Sequence, residues 1–387
     1  MSVTAAPGFV AAGCHAGIKR RRHDMALIAT EDRKPVTAVA VFTQNKFVAP
    51  PVVLSRRRLE ESGGKAAAII VNSGNANAGT GAAGLADAEA MTSATAGALD
   101  IAAEDVLVCS TGIIGTPLPM DLILKATPRL AGKLSVEGNE EAARGILTTD
   151  THPKSAVVQG DGFTLGGIAK GCGMIAPNMA TMLAFLTTDA DVPRDKLQQI
   201  LRDAADATFN TLNVDGATST NDSLMLLANG RGGRPNLKAF ADAVHKVCED
   251  LTFQMAHDAE GMTKMAMLTV TGAASDAEAR IAAKAIAENN LVKCSWYGSD
   301  PYWGRLLAAA GSAGVAFDAE KSAVAYGGIM VSRAGTNLKH DEAKVREHMK
   351  NERFQIEVNL GAGGRGIARV IGIDLGPGYI KENAKTS

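Results

Sequence analysis

The junction with the most chemical potential in this chain is Ala180–Thr181, inside KGCGMIAPNMATMLAFLTTDA (Lys170 to Ala190). A glycine-punctuated loop tightens at Pro177 and Asn178 and runs directly into an apolar strand. A hydroxyl is a poor nucleophile unless a base sits beside it. If the chain is cut between Ala180 and Thr181, Thr181 gains a free α-amine within reach of its own hydroxyl. Such an amine has a pKa of about 7.7–8.0, so much of it is neutral and basic near physiological pH. One residue then supplies both nucleophile and base. The cut can use the same parts: Thr181 Oγ attacks the Ala180 carbonyl, an N-to-O shift leaves an ester, and water releases it. On spacing alone, Thr181 is more simply a β-branched residue opening a strand.

Other residues offer complementary chemistry. DVLVCSTG (Asp105 to Gly112) reads as a buried strand ending in Ser110-Thr111-Gly112. A hydroxyl followed by a glycine at a strand terminus can present an O–H and a backbone N–H side by side, which is what a developing oxyanion needs. Lys170 can neutralise a carboxylate, or equally be a surface lysine before a glycine loop. Glu260 follows a long amphipathic pattern and is read as its acidic C-terminal turn, where the helix dipole favours a cation. That misplacement hints at a second role, although a plain exposed glutamate fits as well.

The wording of these segments narrows the choice. The Lys170 to Ala190 stretch resembles the self-cleaving segment of the ornithine acetyltransferase family, the bifunctional glutamate N-acetyltransferases of arginine biosynthesis. The resemblance continues in order through GFVAAGCHAGIK, VNSGNANAGTG, CSTGIIGTPLPM, ILTTDTHPK, DGATSTNDS, AEGMTK, GSDPYWGR and the GYIKENA tail. It implies cleavage into chains 1–180 and 181–387, with Thr181 as nucleophile and Thr111 with Gly112 as oxyanion hole. Acetyl then passes from Nα-acetylornithine to Thr181 and on to glutamate. It further implies substrate binding by Thr148 or its neighbour Thr149, Lys170, Thr181, Glu260, Asn383 and Ser387. The implied fold is an α/β/β/α layered sandwich of the N-terminal-nucleophile kind with a smaller C-terminal α/β domain. The implied assembly is a cytoplasmic heterotetramer of two alpha and two beta chains.

The chain also departs from that pattern. Cys172 stands where KGSG is usual, Tyr302 where SDPNWGR is usual, and the tail ENAKTS is one residue short of the usual form. Asn383 keeps its match, while the register of Ser387 is left open. No cofactor is implied. Acetyl-CoA as a second acetyl donor is left open: Gln159 to Thr164 comes near the acetyl-CoA loop of common N-acetyltransferases and departs at its last position. A related self-processing aminopeptidase or amidase would use the same nucleophile with water as acceptor.

Bulk properties agree with a small-molecule enzyme. The 387 residues hold 46% hydrophobic residues, enough for one large or two ordinary domains. The 40 basic and 41 acidic residues cancel, which argues against a nucleic-acid partner and gives no attraction to a membrane surface. No apolar run approaches the roughly 18 residues of a membrane-spanning helix. The Lys19-Arg20-Arg21-Arg22 cluster is read as a solvated loop rather than a transit signal, since the resemblance already begins at Gly8. The five cysteines show no paired spacing, and the seven histidines form no HxH or HExxH pattern, so reduced thiols and no metal site are expected.

To position these groups the chain must alternate strand and helix. TAVAVFT and AAAIIVNSG read as buried strands, with APPVVL between them as an extended edge or connection. Helices are expected over 81–100, 119–133, 140–147, 194–209 and 238–257. SAVVQGDGFTLGGIAKG reads as a hairpin through Gly160-Asp161-Gly162. NVDGATSTND is a polar loop free to approach the site. MAMLTVTG closes a catalytic domain of 1–275, and 276–387 forms the smaller domain. Gly361-x-Gly363-Gly364-x-Gly366 imitates a dinucleotide fingerprint, but the residues beyond it alternate as β, so a hairpin turn is expected there.

Overall fold

The computed structural model describes residues 2–176 and 182–384. Ala180, Thr181 and Ser387 lie outside them. The first part holds β1 (Phe9–Cys14), β2 (Met25–Thr30), β3 (Val36–Phe42), α1 (Pro50–Glu61), β4 (Lys65–Ala66), β5 (Ala68–Asn75), α2 (Gly81–Leu99), β6 (Val106–Ile113), α3 (Met120–Ala131) and α4 (Asn139–Gly145). Next come β7 (Lys154–Gly160), β8 (Phe163–Lys170), β9 (Leu183–Ala190), α5 (Arg194–Ala207), β10 (Leu212–Asn213), β11 (Ser223–Gly233) and α6 (Leu237–His257). The chain continues with β12 (Met265–Ala273), α7 (Asp276–Glu288), α8 (Asn290–Tyr297), α9 (Trp303–Gly311), β13 (Ala323–Tyr326), β14 (Ile329–Arg333) and β15 (Thr336–Asn337). It ends with α10 (Glu342–Lys350), β16 (Arg353–Asn359), β17 (Gly366–Ile373) and α11 (Pro377–Asn383).

Two sheets lie face to face. One has the order β1-β2-β5-β6, the other β4-β3-β11-β9-β8-β7. The inner strands β2, β5, β8 and β9 are buried on nearly every residue because both faces are covered. Alternate side chains show this directly. Ala26 and Ile28 of β2, with Ile69 and Val71 of β5, meet Leu183 and Phe185 of β9 and Met225 and Leu227 of β11 between the sheets. The intervening Met25, Leu27 and Ala29 instead pack outward against Ala88 and Met91 of α2 and Ile123 of α3. On the other side Ala184 and Leu186 pack against Leu197 and Leu201 of α5 and Val244 and Leu251 of α6. The layers therefore run α/β/β/α, as expected.

Three local expectations are corrected. APPVVL is not an extended edge or connection but the first turn of α1, with proline at its first positions. There the missing N–H costs nothing, and Pro51, Val52 and Leu54 are buried. MAMLTVTG does not pair with either sandwich sheet. As β12 it joins the third sheet, of order β10-β17-β12-β16-β13-β14-β15. Its far face packs with Ile286 and Trp296 in a separate apolar cluster. Finally, β16 and β17 do not form a hairpin. β12 lies between them, parallel to β16 and antiparallel to β17. Alternation along two strands does not reveal a third strand inserted between them. No helix opens after the glycines, as expected.

The other helices and the β7–β8 hairpin agree with the sequence within a few residues. Among the described residues no helix is long and apolar enough to cross a membrane, and no cluster of metal-ligating side chains occurs.

Candidate active site

The site is built where β6 leaves the first sheet and β8 leaves the second. β6 runs parallel to β5 until an irregularity at Gly74 and Asn75, where Thr111 and Gly112 depart from the regular ladder. Gly112 has φ +135°, and a Cβ there would sit 2.2 Å from the Gly74 carbonyl carbon, so only glycine fits. The turn is braced from behind by Asn221, whose amide donates to the Ser110 carbonyl (3.0 Å) and the Ala76 carbonyl (2.6 Å). The loop before β11, expected only to approach the site, thus supports the end of β6 and lines the cavity with Ser219, Thr220 and Asn221.

A cavity of about 170 Å³ collects the predicted residues: Thr111, Gly112, Thr148, Thr149, Lys170, Glu260 and Asn383 all line it. Its inner wall is buried. Lys170, at the end of β8, is 2% exposed and Thr111 4%. The Lys170 ammonium donates to Thr148 Oγ1 at 2.8 Å and to Thr111 Oγ1 at 3.3 Å. It also lies 3.9 Å from Asp150 Oδ2.

The outer wall is more open. Glu260, half-buried, accepts from Thr149 Oγ1 at 2.8 Å and from Asn383 Nδ2 at 2.8 Å. Cys172 Sγ lies 3.0 Å from Thr149 Oγ1. Glu260 does not belong to the last turn of α6, as its sequence position suggests. Asp258 caps the helix, and Glu260 follows in a turn whose N–H donates to the Cys172 carbonyl (2.9 Å). Gly261 ends that turn with φ +67°, and a Cβ there would lie 2.0 Å from the Tyr379 nitrogen. This close approach seats α11 and so brings Asn383 to Glu260. Tyr379 adds a bond from its hydroxyl to Asp215 Oδ2 (3.2 Å).

With this geometry in hand, comparison with known proteins decides the family. Residues 10–387 match the ArgJ family. The chain belongs to the ArgJ family. The arginine biosynthesis bifunctional protein ArgJ of Streptomyces avermitilis is 43% identical over 389 residues, covering 100% of both chains. That of Symbiobacterium thermophilum is 44% identical over 395 residues, covering 98% of this chain and 97% of its own. Among solved structures, the ornithine acetyltransferase of Mycobacterium tuberculosis complexed with ornithine is 42% identical. It covers 46% of this chain and 94% of its own, with a TM-score of 0.44.

In this ArgJ-family chain several polar groups around the site carry no signal of their own in the sequence. Asp150 is fully buried. Its carboxylate accepts from Lys154 Nζ (2.8 Å), Gly171 N (2.7 Å) and Thr148 N (3.0 Å). Burial alone would raise its pKa, but the Lys170 and Lys154 ammonium groups outweigh that and hold it well below the usual carboxylate range. Lys154, fully buried, also donates to Asp258 Oδ2 at 2.5 Å. That bond answers the acidic cap of α6, which the dipole disfavours. Lys19, whose stem packs on Gly74, donates to the Leu147 carbonyl at 2.8 Å, and burial pushes its pKa down to about 8.

Asp222 is the other silent group. It is fully buried, accepts from Met182 N at 3.0 Å, and burial drives its pKa well above the usual range. Its Oδ2 has no hydrogen-bond partner among the described residues. The Asp in TTD and the Asp in STND are visible in the sequence as turn formers. Only the fold reveals that each lies buried behind the cavity.

Proposed function

We propose that this protein transfers an acetyl group from Nα-acetylornithine to glutamate by a ping-pong route through an acetyl ester on Thr181. It supplies ornithine and N-acetylglutamate in arginine biosynthesis. The carrying observation is convergence: six residues of five separate segments, Thr111, Gly112, Thr148, Lys170, Glu260 and Asn383, line one cavity in an ArgJ-family chain.

The steps follow from these groups. Cleavage after Ala180 frees the Thr181 amine. Thr181 Oγ attacks the acetyl carbonyl, its proton passes to that amine, and the negative charge falls on the carbonyl oxygen. The Thr111 hydroxyl and Gly112 N–H donate to this oxyanion. The C–N bond breaks, ornithine departs with the proton, and acetyl remains on Thr181. The α-amine of glutamate then attacks the ester, N-acetylglutamate leaves, and Thr181 Oγ recovers a proton. One amide replaces another, so no energy source is required.

Glu260 faces the ornithine side-chain ammonium, with Thr149 and Asn383 orienting its two oxygens. Lys170 and Thr148 serve the carbonyl end, and Ser387 joins the substrate-binding set on the family resemblance alone. The active unit is a cytoplasmic heterotetramer of two chains 1–180 and two chains 181–387 and needs no metal. Acetyl-CoA is an alternative donor to the same threonine.

The test is product accounting with purified protein. With Nα-acetylornithine and glutamate together, ornithine and N-acetylglutamate should appear in equal amounts. Steady release of acetate without glutamate would mark a hydrolase and refute the transfer reading.

A further inference from the structure

The Lys170 ammonium can donate hydrogen bonds but cannot accept them. The two hydroxyls it meets, Thr148 and Thr111, must therefore turn their oxygens toward it and their hydrogens elsewhere. Thr148 has somewhere to send its hydrogen: Asp150 Oδ2 lies 3.4 Å away. Thr111 does not, since its hydroxyl has no acceptor among the described residues apart from the cavity it faces. Lys170 thus leaves Thr111 as a hydrogen-bond donor aimed into the site.

What holds the Lys170 ammonium in this place therefore bears on the Thr111 donor. Burial of a lone ammonium is costly, so a buried counter-charge is needed. Four buried carboxyls stand near this group of cations, of which Asp24 accepts from the Lys19 N–H at 3.0 Å and serves that end. Asp258 is taken up by Lys154 and by the Thr151 hydroxyl. Asp222 is driven toward its neutral form by burial. Asp150 is shared: its Oδ1 accepts from Lys154 at 2.8 Å, while its Oδ2 lies 3.9 Å from Lys170, and Gly171 N and Thr148 N fix the carboxylate in place between the two. The other cations nearby, Lys154 and Lys19, raise the demand for it.

We propose that Asp150 is a positioning residue for catalysis: through Lys170 it sets the Thr111 hydroxyl as an oxyanion donor without itself touching substrate. The proposal rests on reading Thr111 as that donor.

A double-mutant cycle tests it, with kcat referred to the processed fraction measured by intact mass and with folding checked by thermal melting. Thr111→Val should lower kcat by about 10²-fold, and Asp150→Asn by roughly tenfold. If Asp150 acts through Thr111, the double variant is no slower than Thr111→Val alone, since residues that work as a unit do not add. Losses that multiply to about 10³-fold would overturn the proposal. A Thr111→Val enzyme with unchanged kcat would instead overturn the oxyanion reading beneath it. Should Asp150→Asn not fold, Asp150→Glu, which keeps the charge but displaces it, takes its place in the same cycle with Thr111→Val, and multiplying losses there would equally defeat the proposal.

Discussion

The two walls of the cavity are built on opposite plans. The inner wall, Thr111, Gly112 and Lys170, stands on strand ends and is buried, and it is tied to the buried Asp150. The outer wall, Thr149, Glu260 and Asn383, stands on two turns and a terminal helix and is open to solvent, with its residues bonded mainly to one another. The reaction asks for this division. The acetyl carbonyl is the same group in both half-reactions, so its donors can be fixed and preorganised. The side chain beyond it changes from ornithine's ammonium to glutamate's carboxylate, so its wall must tolerate both. Hydrogen bonds held by a hydrated carboxylate and an exposed amide can be rearranged at little cost, whereas a buried ion pair cannot.

The walls should therefore fail differently under substitution. With Thr111 as the proposed oxyanion donor, Thr111→Val removes a bond used only when charge develops, so kcat should fall about 10²-fold while KM for acetylornithine moves little. On the proposed roles, Glu260→Gln removes the charge that meets the ornithine ammonium in ground and transition states alike. KM should rise roughly tenfold with a smaller change in kcat, the exposed setting limiting the loss. A Glu260→Gln enzyme whose kcat falls and whose KM holds would erase the distinction between the walls. The smallest effect is expected at Cys172, which lies behind the outer wall. Burial pushes its thiol up to about 12, with Asp150 adding to the shift. Below that pH the sulfur keeps its proton and is a poor nucleophile. Iodoacetamide at mildly alkaline pH should label the exposed Cys294 and leave Cys172 and the activity untouched. Rapid inactivation through Cys172 would show that the outer wall does not cover this thiol.

The same contrast explains what can be read from the sequence. The layers are legible because strands buried on both faces appear as apolar runs, and α6 because Phe240, Val244, Val247 and Leu251 recur at helical spacing. APPVVL misleads because two prolines fit an extended edge and a helical first turn equally well; the buried face that decides between them appears only in three dimensions. β12 falls in an unexpected sheet because an apolar strand carries no mark of its partners.

At the site, Thr111, Gly112, Thr148, Lys170, Glu260 and Asn383 are named through resemblance, and the fold gathers them around one cavity. Their supports are not legible. Asp150, Lys154 and Asp258 are separated by up to 108 positions in the chain yet joined by bonds of 2.8 and 2.5 Å. An aspartate in a TTD turn looks like any other turn residue until two lysines are found against it.

The central claim is that the acetyl group rests on Thr181 between the two substrates. The direct measurement is the intact mass of the purified protein after exposure to Nα-acetylornithine with no glutamate present. The account predicts two chains meeting at Ala180 and Thr181, with the chain that begins at Thr181 heavier by one acetyl group, and that mass reverting when glutamate is added. A single uncleaved chain that still transfers acetyl, or an acetyl group on any other residue, would contradict it.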